Sequence, residues 1–255
     1  TPNALFINAE TQSKDALIGP CLLPDVAIVD PLTTVTAPPK VTASTGMDAL
    51  THAIESYTSV KATPHTEMYA LESIRLIGRS LRKAVLNGND IGARSDMSLG
   101  SLFAGISLSY AGTAAVHALA YPLGGKYQVP HGVSNAIMLP YVLEFNIPGN
   151  PKKYQKVAET LVQGEVVRGL APARKQTGEQ GITGSLSTPS ADELPSIICE
   201  LMKDIGMPLH LRELGIPRDS LEELAESAAK VTRLLRNNPR PLTLEDIKAI
   251  YEKAY

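Results

Sequence analysis

The sequence predicts a mainly α-helical fold, a helical bundle preceded by a few β-strands. Two observations carry this prediction. Short apolar runs separated by turn residues fill positions 1 to 31, whereas from about residue 40 the apolar side chains recur three and four positions apart. Beyond residue 40 almost no alternation with a period of two remains. We therefore expect the strands to be confined to the N-terminal part of the chain.

The N-terminal segment predicts three strands, at residues 4–7, 15–18 and 26–29. Asparagine, glycine and proline residues separate the three apolar runs, as is typical of turns between strands. Three short strands do not bury enough apolar surface to form a core alone. They are therefore expected to belong to a larger sheet.

Helical spacing runs through most of the remaining chain. Several of the segments end at Gly or at Asn-Gly, which commonly terminate helices. The predicted helices lie at 45–59, 66–88, 93–112, 131–146, 151–163, 191–205, 218–236 and 243–254, with a further helical segment around His117. His131 is expected to start a new helix after a break at Gly124-Gly125.

Residues 164–190 interrupt this pattern. They are rich in Gly, Ser, Thr, Pro and charged residues, and such a segment buries too little apolar surface to offset the entropy lost on ordering. We expect a mobile surface loop here. A lid or an oligomer contact is the alternative.

Composition and charge exclude several classes of protein. The 255 residues include 24 basic and 26 acidic side chains, and this net charge of −2 gives no field for binding nucleic acid. No apolar run approaches the roughly 20 residues of a membrane span. Only two cysteines are present, which fits a reducing compartment, and we expect a cytoplasmic protein. Because the chain opens with Thr1 rather than Met, we expect it to start inside a domain.

Four residues form a candidate metal site. Asp48 and His52 are four residues apart and would therefore share one face of a helix, while His117 and His131 come from two later segments. One carboxylate and three imidazoles suit Fe²⁺, Zn²⁺, Co²⁺ or Mn²⁺ better than Mg²⁺ or Ca²⁺. Spacing alone leaves other readings open. Asp48 could cap a helix start, and the histidines could be hydrogen-bonded structural residues.

Several longer motifs support a resemblance to a known family. The strings PDVAIVDP, TGMDALTHAIESYTS, AVHALAYPLGGKYQVPHGVSNAIMLPYVLEFN and NNPRPLTLEDIKAIY resemble the iron-containing (group III) alcohol dehydrogenases. In that family an aspartate, the histidine four residues later, a histidine in the VHALA-type segment and the histidine of PHG hold one divalent metal. The resemblance thus implies that Asp48, His52, His117 and His131 are the metal ligands, with Fe²⁺ preferred and Zn²⁺ as the alternative.

The resemblance also implies a domain organisation. The family has an α/β nucleotide-binding domain followed by an all-helical metal-binding domain of the dehydroquinate synthase-like type. Residues 1–33 would be the last strands of a truncated nucleotide-binding domain, and residues 34–255 the helical domain. The GGGS-type phosphate-binding turn of the family does not occur in this sequence. We therefore expect weak binding of NAD or NADP by this chain alone, with Thr1 and Lys14 near the cofactor, and a homodimer.

The implied reaction is hydride transfer between a small alcohol or aldehyde and NAD(P), with the metal activating the substrate oxygen. Many relatives carry a second histidine four residues after the VHALA-type one, often linked to proton relay. Here that position is Tyr121, which can donate a hydrogen bond but is a poorer proton shuttle near neutral pH. Two alternatives remain: a metal-dependent lyase or cyclase of the dehydroquinate synthase-like type, and a non-catalytic helical assembly module.

Overall fold

The computed structural model describes residues 3–7, 14–166 and 188–255. Near the start of the chain, strands β1 (Asn3–Ile7) and β2 (Lys14–Ile18) pair antiparallel, with Leu5 opposite Ala16. These are two of the three predicted strands. The third prediction, at 26–29, is wrong, because these residues have no partner strand among the described ones. Their side chains are exposed, Ile28 to 89%.

Ten α-helices make up most of the described chain, and they confirm the mainly helical prediction. From residue 35 onward the described residues contain no strand. The helices are α1 (Pro39–Thr58), α2 (Pro64–Leu86), α3 (Ile91–Ala111), α4 (Ala115–Tyr127), α5 (His131–Asn146), α6 (Pro151–Val166), α7 (Leu194–Asp204), α8 (Leu221–Ala229), α9 (Thr232–Leu235) and α10 (Leu244–Ala254).

Two sequence-based boundaries need correction. The segment 218–236 contains two α-helices, α8 and α9, rather than one, since α8 ends at Ala229 and α9 begins at Thr232. Gly124 and Gly125 do not break a helix but lie inside α4. The break before His131 comes instead at Gln128, whose φ of 54° is left-handed. Most of the predicted loop at 164–190 lies outside the described residues.

Helix α1 is the centre of the bundle. It packs against α2, α3 and α5, and most of its side chains beyond the first turn are buried. Small residues make these close approaches possible, because a Cβ on Gly46 would lie within 3 Å of side chains from both α2 and α3. The apolar core continues from α1 through α4 and α5 to the C-terminal helices. Burial on most sides fixes the rotation of α1 and therefore the directions of its polar residues.

The turn between α3 and α4 is tied down by side chains from two other parts of the chain. Ser59 Oγ donates to the carbonyl oxygen of Ala111 at 2.7 Å, and Asn237 Nδ2 donates to that of Thr113 at 2.8 Å. Between them Gly112 has a φ of +73°, a conformation that strains other residues. These bonds set where α4 begins, and so where His117 lies.

Among the described residues, no single helix is long and apolar enough to cross a membrane. Only α3 and α4 taken together, bent by 104°, meet the length and composition criteria.

Gly132 lets the backbones of α5 and α1 approach closely. A Cβ at this position would lie 2.1 Å from the carbonyl oxygen of Ser44, a backbone atom that cannot rotate away. We expect Gly132→Ala to lower the free energy of unfolding by about 1–3 kcal/mol, because α5 must move off α1. Urea unfolding measures this change.

Gly105→Ala is the matched control, since a Cβ at this helical position meets nothing within 4 Å. It should raise the free energy of unfolding by about 0.5–1 kcal/mol, because alanine favours the helix. Equal effects of the two substitutions would contradict the close packing at Gly132.

Candidate metal centre

Asp48 and His52 lie on one face of α1, as their spacing predicts. Asp48 Oδ1 is 3.9 Å from His52 Nε2. Helix α1 begins at Pro39, so Asp48 is well inside the helix and the alternative that it caps a helix start is wrong. Both side chains are partly exposed, 20% for Asp48 and 24% for His52.

His117 and His131 reach the same point from two other helices. His117 lies in the first turn of α4 and His131 is the first residue of α5. Asp48 Oδ1 is 3.6 Å from His117 Nε2 and 3.8 Å from His131 Nε2. One atom from each of Asp48, His52, His117 and His131 therefore lies within 4.8 Å of the other three. The structure thus brings all four predicted ligands to one place.

The histidine rings also touch one another. His52 and His117 are stacked with their centroids 4.6 Å apart, and the His131 ring meets His117 nearly edge-on at 5.3 Å. Rings packed in this way have little freedom to turn. Their Nε2 atoms are consequently held near Asp48 by packing as well as by hydrogen bonds.

Two residues that sequence reasoning missed contact this cluster. Asn135 Nδ2 donates to Asp48 Oδ1 at 2.6 Å and lies 3.2 Å from Nε2 of both His117 and His131. Glu55 Oε2 is 2.6 Å from His117 Nδ1. Helical spacing could have indicated both, because Glu55 is seven residues after Asp48 and Asn135 four after His131.

The balance of donors and acceptors in the cluster favours a cation. The amide of Asn135 has two hydrogens for three neighbouring ligand atoms, so acceptors outnumber donors. Asn135 and His117 are buried, and unpaired lone pairs there are costly. A positive charge at the centre removes this cost. The set of one carboxylate and three imidazoles fits Fe²⁺ or Zn²⁺.

The pKa values of the cluster favour one positive charge, on His117, rather than several. Burial lowers the pKa of His117, but the carboxylates of Glu55 and Asp48 outweigh it and raise the pKa to about 9. Burial and the neighbouring His117 lower the pKa of His52 to about 4. Burial would raise the pKa of Asp48, yet its hydrogen bond to His117 and the nearby histidines hold it well below its usual value.

Of the other residues predicted for the site, Tyr121 lies beside the cluster. Tyr121 is on α4, one turn after His117, and its ring centroid is 6.3 Å from that of His131. Burial raises the pKa of its phenol, although Arg233 opposes the shift. Lys14 is the first residue of β2. Thr1 lies outside the described residues.

A separate cavity of about 570 Å³ borders a neighbouring face of α1. It is lined by side chains of α1 and α3 and by Ile28, Val29, Asp30, Thr33 and Thr34, and none of the four cluster residues lines it. Its buried arginine, Arg94, donates to the carbonyl oxygens of Gly88 and Ala37 and to Thr42 Oγ1. Because these contacts tie α3 to the start of α1, we interpret Arg94 as structural.

Comparison with known proteins identifies the family. The sequence profile of the Fe-containing alcohol dehydrogenase family, C-terminal part, matches residues 42–255. The chain belongs to this iron-containing alcohol dehydrogenase family. The long-chain-alcohol dehydrogenase 1 of Geobacillus thermodenitrificans is 44% identical over 253 residues, which are 99% of this chain and 60% of that protein. Sequence and cluster thus point to the same family.

Two further relatives support the assignment. The NAD-dependent methanol dehydrogenase of Bacillus methanolicus is 34% identical over the whole chain and 62% of its own length. A crystal structure of 1,3-propanediol oxidoreductase superposes with a TM-score of 0.87 at 38% identity, over 100% of this chain and 62% of that one. This member of the iron-containing family therefore spans about 60% of the length of the relatives it matches.

The raised pKa of His117 is directly measurable. In metal-free protein we expect its imidazole to stay protonated through pH 8 and to lose its proton near pH 9, while His52 is neutral above about pH 4. A pH titration followed by ¹H–¹⁵N NMR of the histidine rings measures the pKa values of His117 and His52 separately.

The raised pKa of His117 also makes the stability of the metal-free protein depend on pH. Because the folded-state pKa of His117 lies above its ordinary 6.5, its ion pairs stabilise the metal-free fold fully below about pH 6.5. This contribution is lost as the pH rises through about 9. A His117 that titrates at or below pH 6.5 would show that Glu55 and Asp48 do not hold the charge.

Proposed function

We propose that this chain binds one divalent metal ion, Fe²⁺ or Zn²⁺, through Asp48, His52, His117 and His131. We further propose that it forms the metal-binding part of an NAD- or NADP-dependent alcohol dehydrogenase or aldehyde reductase. The observation that carries the proposal is the convergence of these four ligand atoms within 4.8 Å, from three helices, in a family of alcohol dehydrogenases.

The substrate class follows from the relatives. The matched proteins are named for long-chain alcohols, methanol and 1,3-propanediol, and the last two carry their hydroxyl groups on terminal carbons. We therefore propose a primary alcohol, or the corresponding aldehyde, as the substrate. When bound, the metal would act as a Lewis acid toward the substrate oxygen, and a nicotinamide would accept or donate the hydride.

The chain's own residues would bind and orient the reacting groups. Asp48 supplies one negative charge and the three histidines are neutral donors, so a divalent ion and its four ligands together keep one positive charge, which favours an oxygen ligand. The partial exposure of Asp48, His52 and His131 leaves one side of the cluster open to a small molecule. His117, with 3% of its side chain exposed, lies on the closed side.

We propose that Tyr121 is a hydrogen-bond donor to the substrate rather than a base. It is half-buried near His131, and a phenol whose pKa is raised stays protonated at neutral pH. The nucleotide contacts of Thr1 and Lys14, the homodimer and the cytoplasmic location stay predictions, as does the division into domains at residues 33 and 34.

Metal binding is tested by reconstitution and chelation. We expect one equivalent of Zn²⁺ or Fe²⁺ per chain by elemental analysis, and a melting temperature that falls when a chelator is added, because the metal binds only the folded state. His117→Ala should remove this sensitivity to chelator. His65→Ala is the control, since His65 is exposed and contacts Tyr69 instead of the cluster.

An unchanged chelator response in His117→Ala would contradict His117 as a ligand. Absence of stoichiometric metal in the reconstituted protein would favour the non-catalytic assembly module. To separate a dehydrogenase from a lyase or cyclase, the absorbance of NADH and, separately, of NADPH is followed with aldehydes of increasing chain length in a protein of the relatives' full length. No aldehyde-dependent oxidation of either NADH or NADPH would contradict the proposed reaction.

A further inference from the structure

Glu55 is a buried carboxylate with both oxygens in use. Only 4% of the residue is exposed, and it lies on α1, two helical turns after Asp48. Oε1 accepts a hydrogen bond from the backbone N–H of Val116 at 2.6 Å, and Oε2 is 2.6 Å from His117 Nδ1. Among the described residues its ion-pair partner is His117, not a lysine or arginine. Burying a carboxylate away from water is unfavourable. Glu55 offsets this cost through its contacts with the imidazole of His117 and with the backbone N–H of Val116 at the start of α4.

The contact with Val116 caps a helix that has no cap of its own. Ala114 precedes α4 and offers no side-chain acceptor, so the first N–H groups of α4 lack a local partner. Glu55 supplies the acceptor from another helix, and its negative charge is favourable beside a helix N-terminus. This bond fixes the start of α4 relative to α1, which carries two of the four proposed ligands.

The contact with His117 determines which nitrogen bears the hydrogen. A carboxylate only accepts hydrogen bonds, so the 2.6 Å contact requires a hydrogen on Nδ1. In the neutral imidazole, Nε2 then carries the lone pair, and this atom lies 3.6 Å from Asp48 Oδ1. Glu55 thus presents the metal-binding nitrogen of His117 toward the centre of the cluster.

We propose that Glu55 is a positioning residue that sets the metal affinity of the cluster by holding the Nδ1–H form of His117 and the start of α4. The inference rests on the metal site of the proposed function and adds a residue that binds no metal itself. Carboxylates that orient a metal-binding histidine typically contribute 10- to 100-fold to metal affinity.

The decisive variant is Glu55→Gln, which keeps the shape but has one acceptor for two donors. We expect the dissociation constant for Zn²⁺, measured by competition with a chromophoric chelator, to rise about 10- to 100-fold. The Co²⁺ absorption spectrum of the same variant should also change, because a reoriented imidazole alters the ligand field. A role confined to folding would move neither value in the fraction that remains folded.

Asp96→Asn is the matched control. Asp96 is a partly buried carboxylate that also has two partners, Arg79 and Ser80, yet it contacts none of the cluster residues. The control should lower the melting temperature and leave the dissociation constant for Zn²⁺ unchanged. Equal Zn²⁺ affinity in Glu55→Gln and the wild type would overturn the inference and leave the metal site standing. No Zn²⁺ binding by the wild type would overturn both.

A second measurement needs no variant and remains decisive if Glu55→Gln does not fold. In Zn²⁺-loaded wild-type protein, NMR should show a proton on Nδ1 of His117, shifted far downfield by its short hydrogen bond. A proton on Nε2, or none on Nδ1, would overturn the inference.

Discussion

Four electron-pair donors, one each from Asp48, His52, His117 and His131, are held within 4.8 Å of one another. The three helices that carry them can pack in this way only if the repulsion between these donors is offset. Lone pairs crowded together in a largely buried place are unfavourable unless a positive charge lies between them. The protein meets this constraint in two ways. It can hold a proton on His117, whose pKa is raised, or a metal cation.

The surrounding structure keeps the donors from separating. α1 is buried on most sides and therefore cannot rotate to move Asp48 and His52 apart. α4 is fixed at its start by Glu55 and by the turn that Asn237 holds, and α5 meets α1 where Gly132 allows backbone contact. The site is thus a property of helix packing rather than of a flexible loop. Such rigidity is what a metal site with four fixed ligands requires.

The helices and the ligand pair on α1 could be predicted from the sequence because they depend on local spacing. The periodicity of α1 places Asp48 and His52 on one face whatever surrounds it. The meeting of α4 and α5 with that face could not be obtained from spacing, since it depends on contacts between residues such as Gly132 and Ser44, 88 positions apart along the chain. The resemblance of the motifs to a known family, rather than helical periodicity, indicated that His117 and His131 join Asp48 and His52.

Other predictions failed because they too depend on contacts that local spacing does not show. The apolar run at 26–29 matches a strand pattern, but a strand requires a neighbour, and no described residue provides one. The Gly124-Gly125 pair suggests a break, yet packing of Leu123 and the preceding residues in the core keeps α4 helical through it. Glu55 was missed because its spacing places it on the face of Asp48 but does not show that it contacts His117 and Val116 of α4.

Anomalous X-ray diffraction from Zn²⁺-loaded crystals at the zinc edge shows whether the four donors share one cation. We expect one strong peak per chain, about 2.0–2.2 Å from Asp48 Oδ1 and from Nε2 of His52, His117 and His131. A peak coordinated by other side chains, or no peak among these four, would contradict it.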